Sequence, residues 1–277
     1  MIKIGEYQEL EIARKADFGV YVSDGDAQVL LPAKQVPQEA EIGDRINVFI
    51  YRDSSDRLIA TVNKPFITLG QIGTLTVSQV TGVGAFMEWG LEKDLFLPYK
   101  EQTVKVRAGE EYPVALYLDK SNRLCATMKI YKYLSDEAPY VEEDVVTGTV
   151  YNINPEYGVF VAVDNKYHGL IQQKEIMKDY KIGEKVTGRV VKVRKDGKLD
   201  IAVRQKAYLQ IEQNANIILS RMEELGGALP YTDKSASPER IRQDFAMSKN
   251  DFKKAIGRLV KEKRVIIGDS SIKFTDK

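Results

Sequence analysis

Thiol, imidazole and indole groups are almost missing from this chain, which has one cysteine, one histidine and one tryptophan in 277 residues. A lone Cys125 closes no internal disulfide and builds no thiolate metal site, and within Arg123-Leu124-Cys125-Ala126-Thr127 it reads as buried filler on a strand. Long apolar runs are missing too: no stretch approaches the roughly 18 uninterrupted apolar residues of a membrane span, so no membrane anchor is expected. The opening Met1-Ile2-Lys3-Ile4-Gly5-Glu6 lacks the basic start, apolar core and small-residue cleavage site of a secretory signal, which points to the cytoplasm. There is no Gly-rich phosphate loop and no recognisable pairing of nucleophile and base, so neither an enzyme nor a cofactor is expected.

Charge of one sign is not in excess either, since 41 basic residues face 40 acidic ones. The balance hides an asymmetry. Residues 1–139 hold 16 basic and 20 acidic side chains and residues 140–277 hold 25 and 20, so a polyanion is expected to prefer the second half. A length of 277 residues suits two to four small domains.

What is present is repetition. Asp17-Phe18-Gly19-Val20-Tyr21-Val22, Gly82-Val83-Gly84-Ala85-Phe86-Met87 and Glu156-Tyr157-Gly158-Val159-Phe160-Val161 each show a glycine entering a strand, with an aromatic two residues later. About 25 residues on stand Ile42-Gly43-Asp44, Ala108-Gly109-Glu110 and Ile182-Gly183-Glu184, each opening an alternating strand: Ile46 to Tyr51, Tyr112 to Leu118 and Val186 to Arg194. A last short strand follows at Leu58, Leu124 and Leu199, each preceded by a basic residue. Three landmarks in constant order define three units of five short strands. Such short sheets hide their edges most simply by closing, which predicts five-stranded OB barrels at 1–63, 64–138 and 139–206. Asp53, Asp119 and Asp196, at the turns between the last two strands, read as turn residues or as partners of Arg57, Arg123 and Lys198 rather than as metal ligands.

The third unit carries the most specific pattern. Val146-Thr147-Gly148-Thr149-Val150, Tyr157-Gly158-Val159-Phe160-Val161, His168-Gly169-Leu170-Ile171, Gly183-Glu184-Lys185-Val186 and Arg189-Val190-Val191-Lys192-Val193 together resemble an S1 RNA-binding domain. The resemblance implies that the aromatic before the glycine and the one two residues after it stack on bases. This nominates Tyr157 and Phe160, with Phe18 and Tyr21 in the first unit and Phe86, beside Val83, in the second. Where S1 domains commonly place a histidine after Gly-Leu-Ile, this chain has Gln172, with Pro32 and Pro98 at the same place earlier. Gln keeps hydrogen-bonding capacity that Pro gives up, so the first two barrels are expected to bind more weakly or to act as spacers. Lys166, Lys192, Arg194 and Lys198 supply cations around the third unit. His168 joins the candidate contacts, although with no second ligand it makes no metal site and packing is its plainer role. Residues three apart on a strand face opposite ways, so Tyr157 and Phe160 share a face only if a bulge, expected at Gly158, re-aims one of them.

Beyond Arg204-Gln205-Lys206 the period changes. Ile211, Ala215, Ile218, Leu219, Met222 and Leu225 recur at helical spacing before Gly226-Gly227. Ser237-Pro238 starts a second helix, a third runs from Asn250 to about Lys263, and Arg264–Asp269 with Ser271–Thr275 form a hairpin. This is an α+β winged helix over 207–277. Its third helix offers Lys249, Lys253, Lys254, Arg258, Lys261 and Lys263, a set suited to phosphates more than to base edges. A solvated face on a protein-docking domain remains open.

Three S1-like units followed by a winged helix, over essentially all residues, resemble the bacterial conserved virulence factor B family. The resemblance implies a non-catalytic RNA-binding protein that influences expression of virulence-associated genes. Single-stranded RNA is the expected partner, lying across the third barrel with the winged helix extending a basic track. Duplex DNA bound by the winged helix, or a scaffold for ribosome or nuclease partners, are the alternatives.

Overall fold

The structure, a computed structural model, describes residues 1–176, 178–203 and 207–275, with side chains omitted at 207–210. The Arg204-Gln205-Lys206 segment, where the strand pattern ends in sequence, lies outside the described residues. The chain divides into two compact units, Met1–Val203 and Arg204–Lys277.

The first unit is three closed five-stranded barrels. The first comprises β1 (Tyr7–Ala16), β2 (Gly19–Ser23), β3 (Gln28–Pro32), β4 (Arg45–Arg52) and β5 (Leu58–Thr61). The second comprises β6 (Ile72–Val80), β7 (Gly84–Glu88), β8 (Leu95–Pro98), β9 (Glu111–Leu118) and β10 (Leu124–Thr127). The third comprises β11 (Val145–Asn154), β12 (Gly158–Val163), β13 (Tyr167–Gln172), β14 (Lys185–Val193) and β15 (Leu199–Ala202). In each, the long first strand pairs with both the second and the fourth, and the third strand meets the fifth in parallel. That is the OB arrangement, and the period-2 alternation drives it: Val159, Val161 and Val163 point into the third barrel's core while Phe160 and Ala162 point out.

The bulge expected at Gly158 lies elsewhere. Gly158 sits in regular register between Asn154 and Gln172, and the irregularity falls one strand away, between Val150 and Asn152. The same skip occurs between Ile12 and Arg14 and between Val77 and Gln79. A strand of nine or ten residues serving two partners has to bend where it changes partner, and an extra residue supplies the bend. Gly158 is required for another reason. Its φ is +124°, and a Cβ there would stand 2.1 Å from the carbonyl oxygen of Ile171. Gly19 and Gly84 make the same approach to Leu31 and Leu97, at 2.1 and 2.5 Å.

The turn aspartates behave as expected at their backbones: Asp53 and Asp119 accept from the amides two and four residues on. Their basic partners differ. Arg57 reaches Asp53 and Lys198 reaches Asp196, but Arg123 reaches across to Asp56 of the first barrel at 3.0 Å instead of folding back on Asp119. The barrels are therefore joined as well as strung together. Phe49 and Tyr51, on β4, belong to the second barrel's core, where Trp89 meets both rings edge-on at 5.9 and 6.4 Å and donates its indole N–H to the Lys93 carbonyl. A second junction buries Ala115, Ile130, Leu134, Tyr151 and Ala162 between the second and third barrels. Cys125 is buried, and burial pushes its thiol up to about 11, as suits a filler.

The second unit runs α1 (Ala207–Glu224), β16 (Ala228–Leu229), α2 (Pro238–Phe245), α3 (Lys249–Lys261), β17 (Val265–Ile267) and β18 (Ile272–Phe274), with sheet order β16-β18-β17. Ser237 caps α2 by accepting from Arg240 N, with Pro238 in the first turn, and Ser248 caps α3 by accepting from Asp251 N. Ile218, Met222, Ile241, Phe252, Ile256 and Leu259 form the centre of its core. Leu225, expected on the buried stripe, is exposed because the Gly226-Gly227 turn leads the chain away into β16. The two-residue β16 completes the winged helix.

Replacing Trp89 with Ala removes the ring on which the first junction closes and is expected to destabilise the barrel unit by about 3–5 kcal/mol. Urea unfolding followed by far-UV circular dichroism, the only indole being gone, measures it; a loss below about 1 kcal/mol would mean that the junction is not packed.

Candidate nucleic-acid interface

The outer face of the β12–β13 hairpin gathers part of the expected site. Tyr157 precedes Gly158, its backbone N–H held by the Asn154 side chain, and its ring is 57% exposed. The positive φ at Gly158 turns the chain there, so the ring before it is not bound by the strand's alternation. Phe160 follows on the outward side, half-buried, backed by the Tyr151 ring at 6.1 Å and opposite Leu170. Tyr151 is the bulged residue of β11, so the irregularity lies beneath the ring it supports.

Beside Phe160 opens a cleft of about 110 Å³, lined also by Tyr131, Leu170, Arg194, Asp196 and Lys198. Tyr131 is the residue that sequence reasoning missed. It belongs to a single helical turn, Ile130–Tyr133, that trails the second barrel, and it stands half exposed. The signal was the run Ile130-Tyr131-Lys132-Tyr133-Leu134, too apolar for a solvated link. The Tyr131 ring covers His168, at 4.5 Å between ring centroids. His168 is buried, with its imidazole 3.6 Å from the Asp136 carboxylate, and burial holds its pKa below the usual histidine value although Asp136 works the other way. The structure therefore places His168 beneath the Tyr131 ring, where it contributes to the lining of the cleft.

Gln172 is also engaged within the protein. Its amide donates to one oxygen of buried Asp200 at 2.7 Å, and Arg194 donates to the other at 2.8 and 2.6 Å. This triad fixes the end of β13 against β15. Lys198 stands 3.1 Å from Asp196, 3.9 Å from Asp136 and 5.7 Å from the Tyr131 ring centre. A hydrogen bond with Tyr131 and then one with Asp196 hold its ammonium above the usual lysine range. Lys192 is exposed on β14, in register with Asp200. Lys166 is at the opposite end of the hairpin, over Tyr167, about 20 Å of strand from Tyr157. The expected cluster thus divides: Phe160, Arg194 and Lys198 meet at one cleft, Tyr157 stands at the Gly158 end, and Lys166 is remote. Acidic neighbours offset two of the cations, which leaves ring faces as the main offering of the cleft.

In the first barrel Phe18 is 58% exposed and Tyr21 half-buried, their rings 6.3 Å apart, with the Arg14 guanidinium 3.6 Å over Tyr21. In the second barrel Val83 is exposed and Phe86 half-buried. On α3, Lys253, Lys254, Lys261 and the following Lys263 are exposed. Lys249 instead donates to the carbonyl of Ala236, and Arg258 pairs with Glu262 at 2.7 Å and Glu212 at 3.6 Å. The one arginine suited to reading a guanine edge is held by its own domain.

Comparison with known proteins bears on this geometry. An S1 domain model matches residues 4–63 and 69–129, the model for the second domain of the virulence regulatory factor CvfB matches 132–205, and a CvfB-like winged helix model matches 216–274. The Bacillus subtilis protein YitL is 32% identical over 94% of this chain and 90% of its own length. The chain belongs to the CvfB family. Conserved virulence factor B of Staphylococcus saprophyticus and that of Staphylococcus aureus strain N315 are each 29% identical over 86% of this chain and 82% of theirs. A crystal structure of a multidomain protein with nucleic acid binding domains from Streptococcus pneumoniae covers 98% of both chains at a TM-score of 0.54 and 22% identity, which speaks for the fold. S1 and winged-helix domains of this kind serve nucleic-acid binding and regulation without catalysis. Among the described residues no group of three or more His, Cys, Asp or Glu is placed to hold a metal, and no helix is long and apolar enough to cross a membrane.

His168 gives the junction a pH signature. Its pKa is depressed in the fold, so its contribution is fully present above the unfolded value of 6.5 and is lost as pH falls through the folded value. The barrel unit's melting temperature is expected to drop between about pH 7.5 and 5, and His168→Gln to flatten that part of the curve. An identical profile in the variant would contradict the assignment.

Proposed function

We propose that this CvfB-family chain binds single-stranded RNA across the outer face of its third barrel and thereby regulates expression of virulence-associated genes after transcription, in the cytoplasm. The observation that carries the reading is a ring 57% exposed at Tyr157 together with the cleft beside Phe160, at the two positions of the S1 stacking pattern. Burial of an aromatic is favourable, and a ring held open on a barrel face has a flat partner as its natural complement. Each stacked base contributes about 1–3 kcal/mol without demanding a sequence.

Tyr131 extends the platform, and Lys192 and Lys198 meet the backbone phosphates at its rim. The winged helix adds the lysines of α3 as a second phosphate-binding surface. With Arg258 paired internally, that helix has no free arginine among its described residues to read a duplex, which disfavours sequence-specific DNA recognition. The regulatory role rests on the family, whose second-domain model carries the name virulence regulatory factor.

Tyr157→Ala combined with Phe160→Ala is expected to lower affinity for a single-stranded RNA tenfold or more, about 1.4 kcal/mol. Fluorescence anisotropy on the folded full chain measures it, with duplex DNA as competitor. Unchanged affinity, or preferential capture of the duplex, would sink the proposal.

A further inference from the structure

The second barrel departs from its siblings on the face that the third uses. Val83 stands where the first and third barrels have Phe18 and Tyr157, so one ring of the pattern is gone. Two other rings stand nearby. Phe86 on β7 lies directly opposite Phe96 on β8, their centroids 5.3 Å apart and their planes tilted by 44°. The residues at the Phe96 place in the other barrels are Leu30 and Leu170, opposite Tyr21 and Phe160. Tyr99 follows Pro98 at the place of Ala33 and Gln173, is half exposed, and is anchored by its hydroxyl donating to the Thr81 carbonyl.

These rings are not core. Ala85, Met87, Leu95 and Leu97 fill the barrel, and Phe86 and Phe96 alternate with them on the outside. Phe96 lies over Gly84: a Cβ on that glycine would stand 2.8 Å from its ring. Lys100 follows Tyr99, and Lys129 donates to the Lys100 carbonyl while standing 4.0 Å from the Glu101 carboxylate, so the ammonium placed on the Tyr99 side already faces an acidic neighbour. Glu88 is exposed farther along β7.

We infer that the second barrel has its own single-stranded RNA site, in which Phe96 and Tyr99, beside the retained Phe86, replace the ring lost at Val83. The inference rests on the reading that the third barrel stacks RNA bases, and extends it to a platform made of different residues. The apolar ring faces are the attraction and the neighbouring charges nearly cancel, so this site stacks bases and contributes little to salt dependence. Two platforms on one chain bind a long strand more tightly than a short one through effective concentration.

The test uses the full chain with Phe96→Leu and Tyr99→Ala, the residues that the first barrel has at those places and therefore ones an OB barrel accommodates. Affinity for an oligouridylate of about 30 nucleotides, long enough for more than one OB site, is measured for wild type, this variant and Tyr157→Ala with Phe160→Ala. The expected result is a threefold or greater loss in the Phe96→Leu, Tyr99→Ala variant, with the slope of affinity against salt unchanged. Loss only in the third-barrel variant overturns the inference and leaves the third-barrel reading intact. Loss only in the second-barrel variant supports the inference and removes that reading, while loss in neither removes both. On wild-type protein, 4-thiouridine crosslinks are expected on the peptide containing Phe96 and Tyr99; crosslinks confined to other peptides overturn the inference even if the variant fails to fold. A protein partner lost with these substitutions while RNA affinity stays intact makes the rings a docking face and overturns it too.

Discussion

Where the second strand of each barrel begins, the chain passes so close to a carbonyl of the third strand that no methyl group fits. Gly19, Gly84 and Gly158 meet that constraint, and much else is built on it. The contact fixes the register of the second and third strands, and the register decides which side chains point away from the barrel. It also reverses the chain just before the strand, which frees the preceding residue from the strand's alternation. One backbone contact thus sets two ring positions, and what occupies them decides how each barrel meets a ligand.

The barrels spend their remaining surface on each other. Phe49 and Tyr51 leave the first barrel's surface to pack on Trp89, and the Arg123–Asp56 pair closes the polar edge of the same seam. At the next seam the turn Ile130–Tyr133 lies over the third barrel, burying Ile130 and Leu134 and laying Tyr131 on His168. The surface of the third barrel is consequently shared. Its Phe160 is backed by a junction residue, and one ring of its cleft comes from the chain segment before it.

Much of the fold was legible because its causes are local. Glycines at constant spacing, period-2 alternation and turn aspartates fix five strands per barrel, and Ser237-Pro238 announces a helix start through a cap that needs only neighbouring residues. What escaped sequence reasoning depends on contacts between units. Nothing near Arg123 says that its partner is 67 residues away, and nothing near His168 says that the ring covering it comes from the preceding turn. Glycine often marks a bulge, so Gly158 reads as one, yet the bend arises where the first strand changes partners, a property of closure that no residue type signals. The loss at Val83 was visible in sequence, whereas its offset by Phe96 and Tyr99 needed the cross-strand register.

The seam over the third barrel also bears on how that domain can be handled alone. Residues 139–203 taken by themselves would lose Ile130, Leu134 and Tyr131, laying Ala162, Tyr151 and the His168 ring open to water. The excised barrel would be sticky along the flank of its proposed ligand surface, so its behaviour in isolation would mix RNA contacts with self-association. The smallest faithful fragment begins upstream, at the turn that caps the preceding barrel.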